Sequence, residues 1–92
     1  MARMNERQIA AALRSLRGWK RDGGSFRRTF RRKDFAAAMG FVQSVALLAE
    51  RMDHHPDIDI RWNTVTLVLS TRSEGGITHR DVDLAERINS LS

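Results

Sequence analysis

Two adjacent histidines, His54 and His55, fall within residues 50–62 (ERMDHHPDIDIRW), beside Glu50, Asp53, Asp57, Asp59 and the chain's only proline, Pro56. Imidazoles and carboxylates are the side chains that move protons near neutral pH, so this stretch holds the parts for general acid–base chemistry. Other chemistries fit less well. His54, His55 and His79 offer nitrogen donors, but neighbours on extended backbone point opposite ways. No HxxxH or HExxH spacing brings two imidazoles to one ion, and coordination geometry is exacting. We therefore expect no metal. The absence of cysteine excludes a thiolate nucleophile, a disulfide and a cysteine zinc site. No serine sits in a GxSxG elbow, which leaves a serine nucleophile without support. The same residues also suit a plainer role, in which His54-His55-Pro56 ends a helix and turns the chain, with Glu50 and Asp53 in solvent. The residues alone leave both readings open.

The elements around this stretch can be read from periodicity. Over residues 5–16, Ile9, Ala10, Leu13 and Leu16 recur at helical spacing, and Gly18 stops the run. Asp22-Gly23-Gly24-Ser25 is hairpin chemistry, with arms over 19–21 and 25–31. Asp34 is a good N-cap for a helix over Phe35–Met52. There Phe35, Ala38, Met39, Val42, Val45, Ala46, Ala49 and Met52 form a stripe, while Phe41, Leu47 and Leu48 lie off it. A helix apolar over most of its circumference is covered on more than one side, and in a short chain a second subunit is the natural cover. Residues 58–63 read as a short strand and 64–71 as the clearest one, β-branched and alternating, with Val65, Leu67 and Leu69 on one face. The two form either a hairpin about Asn63 or one long bent strand. Residues 72–77 form a loop. Thr78 and Asp81 have capping-box spacing and open a last helix with Val82, Leu84, Ala85, Ile88 and Leu91 on its apolar face. Helices and strands do not alternate singly. The expected class is α+β, a four-stranded antiparallel sheet with three helices on one face, in the order αββαββα.

Ninety-two residues suit a single domain over 1–92 with one small core. No secretory signal is read at the N-terminus, and no apolar run approaches the ~20 residues of a membrane span, so the expectation is a soluble cytoplasmic protein. The formal charge is +5, from fourteen arginines and two lysines against eleven acids. Arg27, Arg28, Arg31, Arg32 and Lys33 could bind an anion or nucleic acid. No recognised nucleic-acid module accompanies them, and charged edge strands are ordinary protection against aggregation, which we favour.

With these residues laid out, the sequence resembles the pterin-4a-carbinolamine dehydratase family. The resemblance rests on Glu50-x-x-Asp53-His54-His55-Pro56, the aromatic Trp62, Leu69-Ser70-Thr71, Gly75-Gly76-Ile77-Thr78 and Asp81. Upstream it includes Gly18-Trp19, FRRTFRRKDF and VALLAE. It implies loss of water from a 4a-hydroxytetrahydropterin to give quinonoid dihydropterin, which recycles the tetrahydrobiopterin cofactor of aromatic amino acid hydroxylases. Neither metal nor cofactor is implied. Carried over, His54 becomes an acid–base residue, His55 orients substrate, and Asp81 completes the catalytic group. Glu50 and Asp53 set histidine protonation or bind the pterin's polar edge, Thr71 and Arg72 join them as substrate contacts, and Trp62 packs beneath the site. The family's third histidine is replaced here by Arg72, whose guanidinium stays charged and relays protons poorly; His79 is the one nearby imidazole that could stand in. The resemblance also implies dimers or tetramers through Phe35–Met52. It opens an alternative: an impaired dehydratase-like binding protein, acting as a Rubisco assembly factor or a transcriptional coactivator.

Overall fold

The computed structural model describes residues 2–91. In chain order the elements are α1 (Glu6–Ser15), β1 (Lys20–Asp22), β2 (Ser25–Arg31), α2 (Phe35–Met52), β3 (Asp57–Arg61), β4 (Thr64–Leu69), a 3₁₀ turn (Arg72–Glu74) and α3 (His79–Leu91). The α+β class and the order αββαββα are as expected.

Alternation in β4 organises the sheet. Its Val65, Leu67 and Leu69 face one side, and the register sets Phe30 of β2 opposite Val65 and Phe26 opposite Leu69. All five are at most 2% exposed. The strands run in the order β1-β2-β4-β3, each antiparallel to its neighbour. The three helices cover the apolar face, supplying Ile9 from α1, Ala38, Phe41, Val45 and Ala49 from α2, and Leu84, Ala85 and Ile88 from α3. Burying each large apolar side chain contributes about 1.5–3 kcal/mol. The opposite face is polar, with the Thr29 and Thr66 hydroxyls 3.1 Å apart.

Both hairpins have two-residue turns. Asp22 pairs with Ser25 around Gly23-Gly24, and Gly23 takes a φ of +60°, which glycine adopts without steric cost. Arg61 pairs with Thr64 around Trp62-Asn63, so the second pair is a hairpin and not one bent strand. This ends β3 two residues earlier than periodicity suggests. Strand β1 begins at Lys20 because Trp19 turns into the core, its Nε1 donating to Asn89 Oδ1 at 2.8 Å. Strand β4 stops at Leu69; Thr71 leaves the ladder and bridges Gly76 instead.

Helix α2 departs from the expected stripe. Phe41 is in the core, its ring centroid 4.7 Å from that of Phe30, whereas Phe35 and Met39 are exposed. At about 100° per residue, Ala38, Phe41, Val45 and Ala49 fall within one narrow arc, and Phe35, Met39 and Ala46 lie roughly a quarter turn away. With 18 residues and a mean hydropathy of 1.2, α2 is long and apolar enough to cross a membrane by length and composition alone, contrary to the sequence expectation. Its buried arc packs on the sheet. Asp34 caps it as expected, accepting from the Ala37 N–H at 2.8 Å. Asn5 and Gln8 form a reciprocal capping box on α1.

Candidate active site

The site begins where α2 ends. Asp53 takes a left-handed conformation (φ 51°, ψ 44°), in which the Asp53 N–H reaches the Glu50 carbonyl and the His54 N–H reaches the Ala49 carbonyl. This pair of bonds closes a helix end, and aspartate is among the few residues besides glycine that tolerate the conformation. Pro56 follows, and β3 starts at Asp57. The two histidines between differ in depth: His54 is 7% exposed and His55 is exposed.

The second wall is the start of α3. Asp81, three residues into the capping unit, accepts from the Thr78 N–H at 2.9 Å, the acid half of the expected box. The threonine half differs: Thr78 Oγ1 accepts from the Arg80 N–H at 3.2 Å. Thr71 closes the arrangement, donating to Asp81 Oδ2 at 2.9 Å and lying 2.8 Å from the Thr78 hydroxyl. Because Thr71 gives its one proton to the carboxylate, the Thr78 hydroxyl must donate to Thr71. Asp81 Oδ1 meets His54 Nε2 at 2.5 Å, and Asp81 has no exposed surface. A carboxylate held this way requires an Nε2–H donor, which assigns the neutral imidazole its tautomer. His54 Nδ1 has no protein partner among the described residues, and no buried side-chain nitrogen or oxygen there lacks one. Nδ1 therefore reaches the surface. The structure thus joins His54, Thr71, Thr78 and Asp81 in one buried network.

His54 also lines a cleft of about 290 Å³, with Asp53, His55 and Pro56 beside it and Thr71, Arg72 and Arg80 also in the lining. Small-molecule sites run from ~300 Å³ upward, so the cleft suits a small ligand. His55 Nε2 lies 2.9 Å from Glu50 Oε1, in solvent. Glu50 does not line the cleft and acts on it through His55. Arg72 sits at the rim, its Nη2 donating to Asp57 Oδ1 at 3.0 Å, with both side chains exposed. Exposed pairs of this kind contribute about 0–1 kcal/mol, so Arg72 is free to move toward an anion or a polar ring edge. Thr71 lines the cleft, but its hydroxyl is committed to Asp81 and Thr78.

Three residues fall differently from the sequence reading. His79 is exposed at the start of α3 and does not line the cleft, so it supplies no third imidazole there. Trp62 does not pack beneath the site; it is 70% exposed on the β3–β4 turn, at the far end of the strands from His54. Arg80, absent from the expected set, donates from Nη2 to the carbonyls of Asp53 (2.8 Å) and Met52 (3.3 Å), tying α3 to the end of α2. Nothing in its sequence spacing marks that role, because its partners are backbone atoms. Among the described residues, no group of three or more histidine or acidic side chains gathers as a metal site. The larger hollow, about 550 Å³ between the ends of α1 and α3, has no imidazole or carboxyl group among the described residues that line it. The groups suited to proton chemistry gather at the smaller cleft.

Comparison with known proteins agrees with the resemblance seen in the sequence. The family described as pterin 4 alpha carbinolamine dehydratase matches residues 2–91. A Nocardia farcinica protein provisionally named pterin-4-alpha-carbinolamine dehydratase is 52% identical, over 97% of this chain and 94% of its own length. A crystal structure of a transcriptional coactivator/pterin dehydratase from Brucella melitensis superposes with a TM-score of 0.93 at 38% identity, over 97% of each chain. A pterin dehydratase-like protein identified as a RuBisCO assembly factor of the alpha-carboxysome shares the fold, with a TM-score of 0.64 at 20% identity, over 79% of this chain and 84% of that one.

Proposed function

The chain belongs to the pterin 4 alpha carbinolamine dehydratase family, and we propose that it dehydrates a 4a-hydroxytetrahydropterin to the quinonoid dihydropterin. The observation carrying this reading is the buried His54–Asp81 pair, whose histidine lines the cleft and keeps Nδ1 without a protein partner among the described residues. In this reaction the bond from C4a to its hydroxyl breaks, the hydroxyl leaves as water with one added proton, and the neighbouring ring nitrogen gives up a proton as the C=N bond forms. His54 Nδ1 takes the ring-nitrogen proton, and Asp81 stabilises the imidazolium by accepting from Nε2, as a carboxylate behind a histidine does in other acid–base sites. His55, oriented by Glu50, stands on the outer side and delivers the proton to the leaving hydroxyl. Arg72 and Asp53 hold the polar edge of the ring. Thr71 supports Asp81 rather than substrate.

Arg72 replaces an imidazole in this reading, and His79 does not restore it, so we set turnover below that of three-histidine relatives. The test follows loss of a 4a-hydroxytetrahydropterin against its spontaneous decay, with His54→Ala alongside. Removing a positioned acid–base group costs about 10²–10⁴-fold in rate. A wild-type rate equal to the spontaneous one would exclude the enzyme.

One observation favours a second reading, a protein-binding role. Phe35, Met39 and Leu47 of α2 are 53%, 42% and 64% exposed, an apolar face suited to a second copy of the chain or another protein. In this reading α2 carries a homodimer or homotetramer. Leu48 is half-buried against the core, so Leu47→Asp is the cleaner test, and it should shift the oligomeric state in sedimentation without loss of fold.

A further inference from the structure

We propose that the hollow between the C-terminal ends of α1 and α3 binds the phosphate or diphosphate group of a small metabolite through Arg14, Arg17 and Arg28. The hollow measures about 550 Å³, and Ser15, Asn89 and Ser90 complete its lining. Among the described residues no acid lines it. Asp83 and Glu86, the nearest acids along α3, line an adjoining hollow with Arg87. Among the described residues none of the three arginines has a carboxylate partner, unlike Arg21, Arg27, Arg61 and Arg72, each of which is paired.

Arg28 is held in place. One nitrogen, Nη1, donates to Asn89 Oδ1 (2.6 Å) and to the Arg17 carbonyl (2.8 Å), and the guanidinium carbon sits 4.3 Å from the Phe30 ring centroid. Gly18 makes this possible: a Cβ there would stand 2.5 Å from Arg28 Nε. Nε and Nη2 remain without protein partners among the described residues. The Arg28 pKa is lowered by burial first and then by the charges of Arg32 and Arg17, a crowding of like charge that an anion would relieve.

A plainer account is that these arginines only complement the negative ends of two helices. The magnitudes decide against it. Two helix C-termini carry roughly half a negative charge each, and three guanidiniums outweigh them by about two positive charges. That excess matches a phosphate dianion, whose oxygens suit the guanidinium fork. The lining has no aromatic side chain on which a base could stack, so recognition rests on the phosphate and not on a nucleic-acid strand.

The probe is inorganic pyrophosphate, titrated calorimetrically into the full chain, with a short DNA duplex in a parallel titration. Expected is saturable binding at one site per chain, weakened about tenfold or more in Arg14→Gln/Arg17→Gln, whose side chains are exposed and make no hydrogen bond or ion pair among the described residues. Arg51→Gln/Arg61→Gln, of equal net charge, should bind as wild type. No saturable binding, equal weakening in both double variants, or binding of DNA without binding of pyrophosphate would each overturn the proposal.

Discussion

Replacing Thr71 by valine tests the network behind His54 with almost no change of shape. The substitution deletes the hydroxyl that donates to Asp81 Oδ2 and receives the Thr78 proton. Asp81 keeps two of its three donors, the Thr78 N–H and His54 Nε2. The Thr78 hydroxyl, with no exposed surface, loses its acceptor. A hydrogen bond to a charged group is worth about 1.5–3 kcal/mol, and a buried donor left unpaired costs at least ~1 kcal/mol. The valine methyl offsets part of this, leaving a net loss of about 2–3 kcal/mol. For a domain of this size each kcal/mol moves the melting midpoint by about 4–8 °C, so the expected drop is roughly 10–20 °C. The assay is thermal unfolding followed by circular dichroism at fixed protein concentration, since any self-association would add a concentration term. The control is Thr29→Val, which removes an exposed hydroxyl near Thr66 and should stay within about 0.5 kcal/mol of wild type. Equal small losses in both variants would refute the anchoring of Asp81 by Thr71.

Two further outcomes follow from local geometry. Trp62 holds a φ of +52° while 70% exposed, so Trp62→Gly removes about 1–2 kcal/mol of strain, gives back ~0.5–1 in chain entropy, and should raise the urea midpoint with the slope unchanged. A lower midpoint would show the indole to be doing unseen packing. At the other end of the sheet, Arg21 grips Glu6 with both terminal nitrogens, and these hydrogen bonds, then the charge, hold the Glu6 carboxyl below the usual glutamate range. A depressed folded-state value means the contribution is full above the unfolded-state value and is lost as pH falls through the folded-state one. Glu6→Gln should therefore flatten the acid limb of a stability-against-pH curve and leave its slope near neutrality as it was; an unchanged acid limb would dismiss the pair.

How far the chain can be read depends on whether local chemistry has competitors. Asp34 and the alternation of Val65, Leu67 and Leu69 each point to one arrangement, and each appears, while the Thr78–Asp81 spacing yields the acid half of its box. Periodicity misplaces Phe41 because α2 is apolar over most of its surface, so spacing alone cannot choose which arc meets the sheet. The Trp62-Asn63 turn stays open in the sequence because turn rules look for glycine or asparagine where the backbone turns left-handed, and the residue that does so is tryptophan. In the cleft, adjacent histidines before proline mark the place. What they cannot mark is depth: His54 is buried and His55 is not, a difference set by Asp81, 27 residues further along the chain. Arg80 escapes for a related reason, as its partners are carbonyl oxygens in α2 and at its end.

The position of Asp81 ties two duties that evolution would otherwise be free to separate. One carboxylate satisfies the first turn of α3 and fixes the ring of His54. A descendant with no chemistry at the cleft would still be held to this aspartate by the demands of folding. Its retention in a sequence is thus a poor witness to activity, and an imidazole at position 54 is the better one. The same sharing means that fraying of α3 and slackening of the histidine are a single event, so amide exchange in that first turn would report on how firmly the His54 ring is held without any ligand being present.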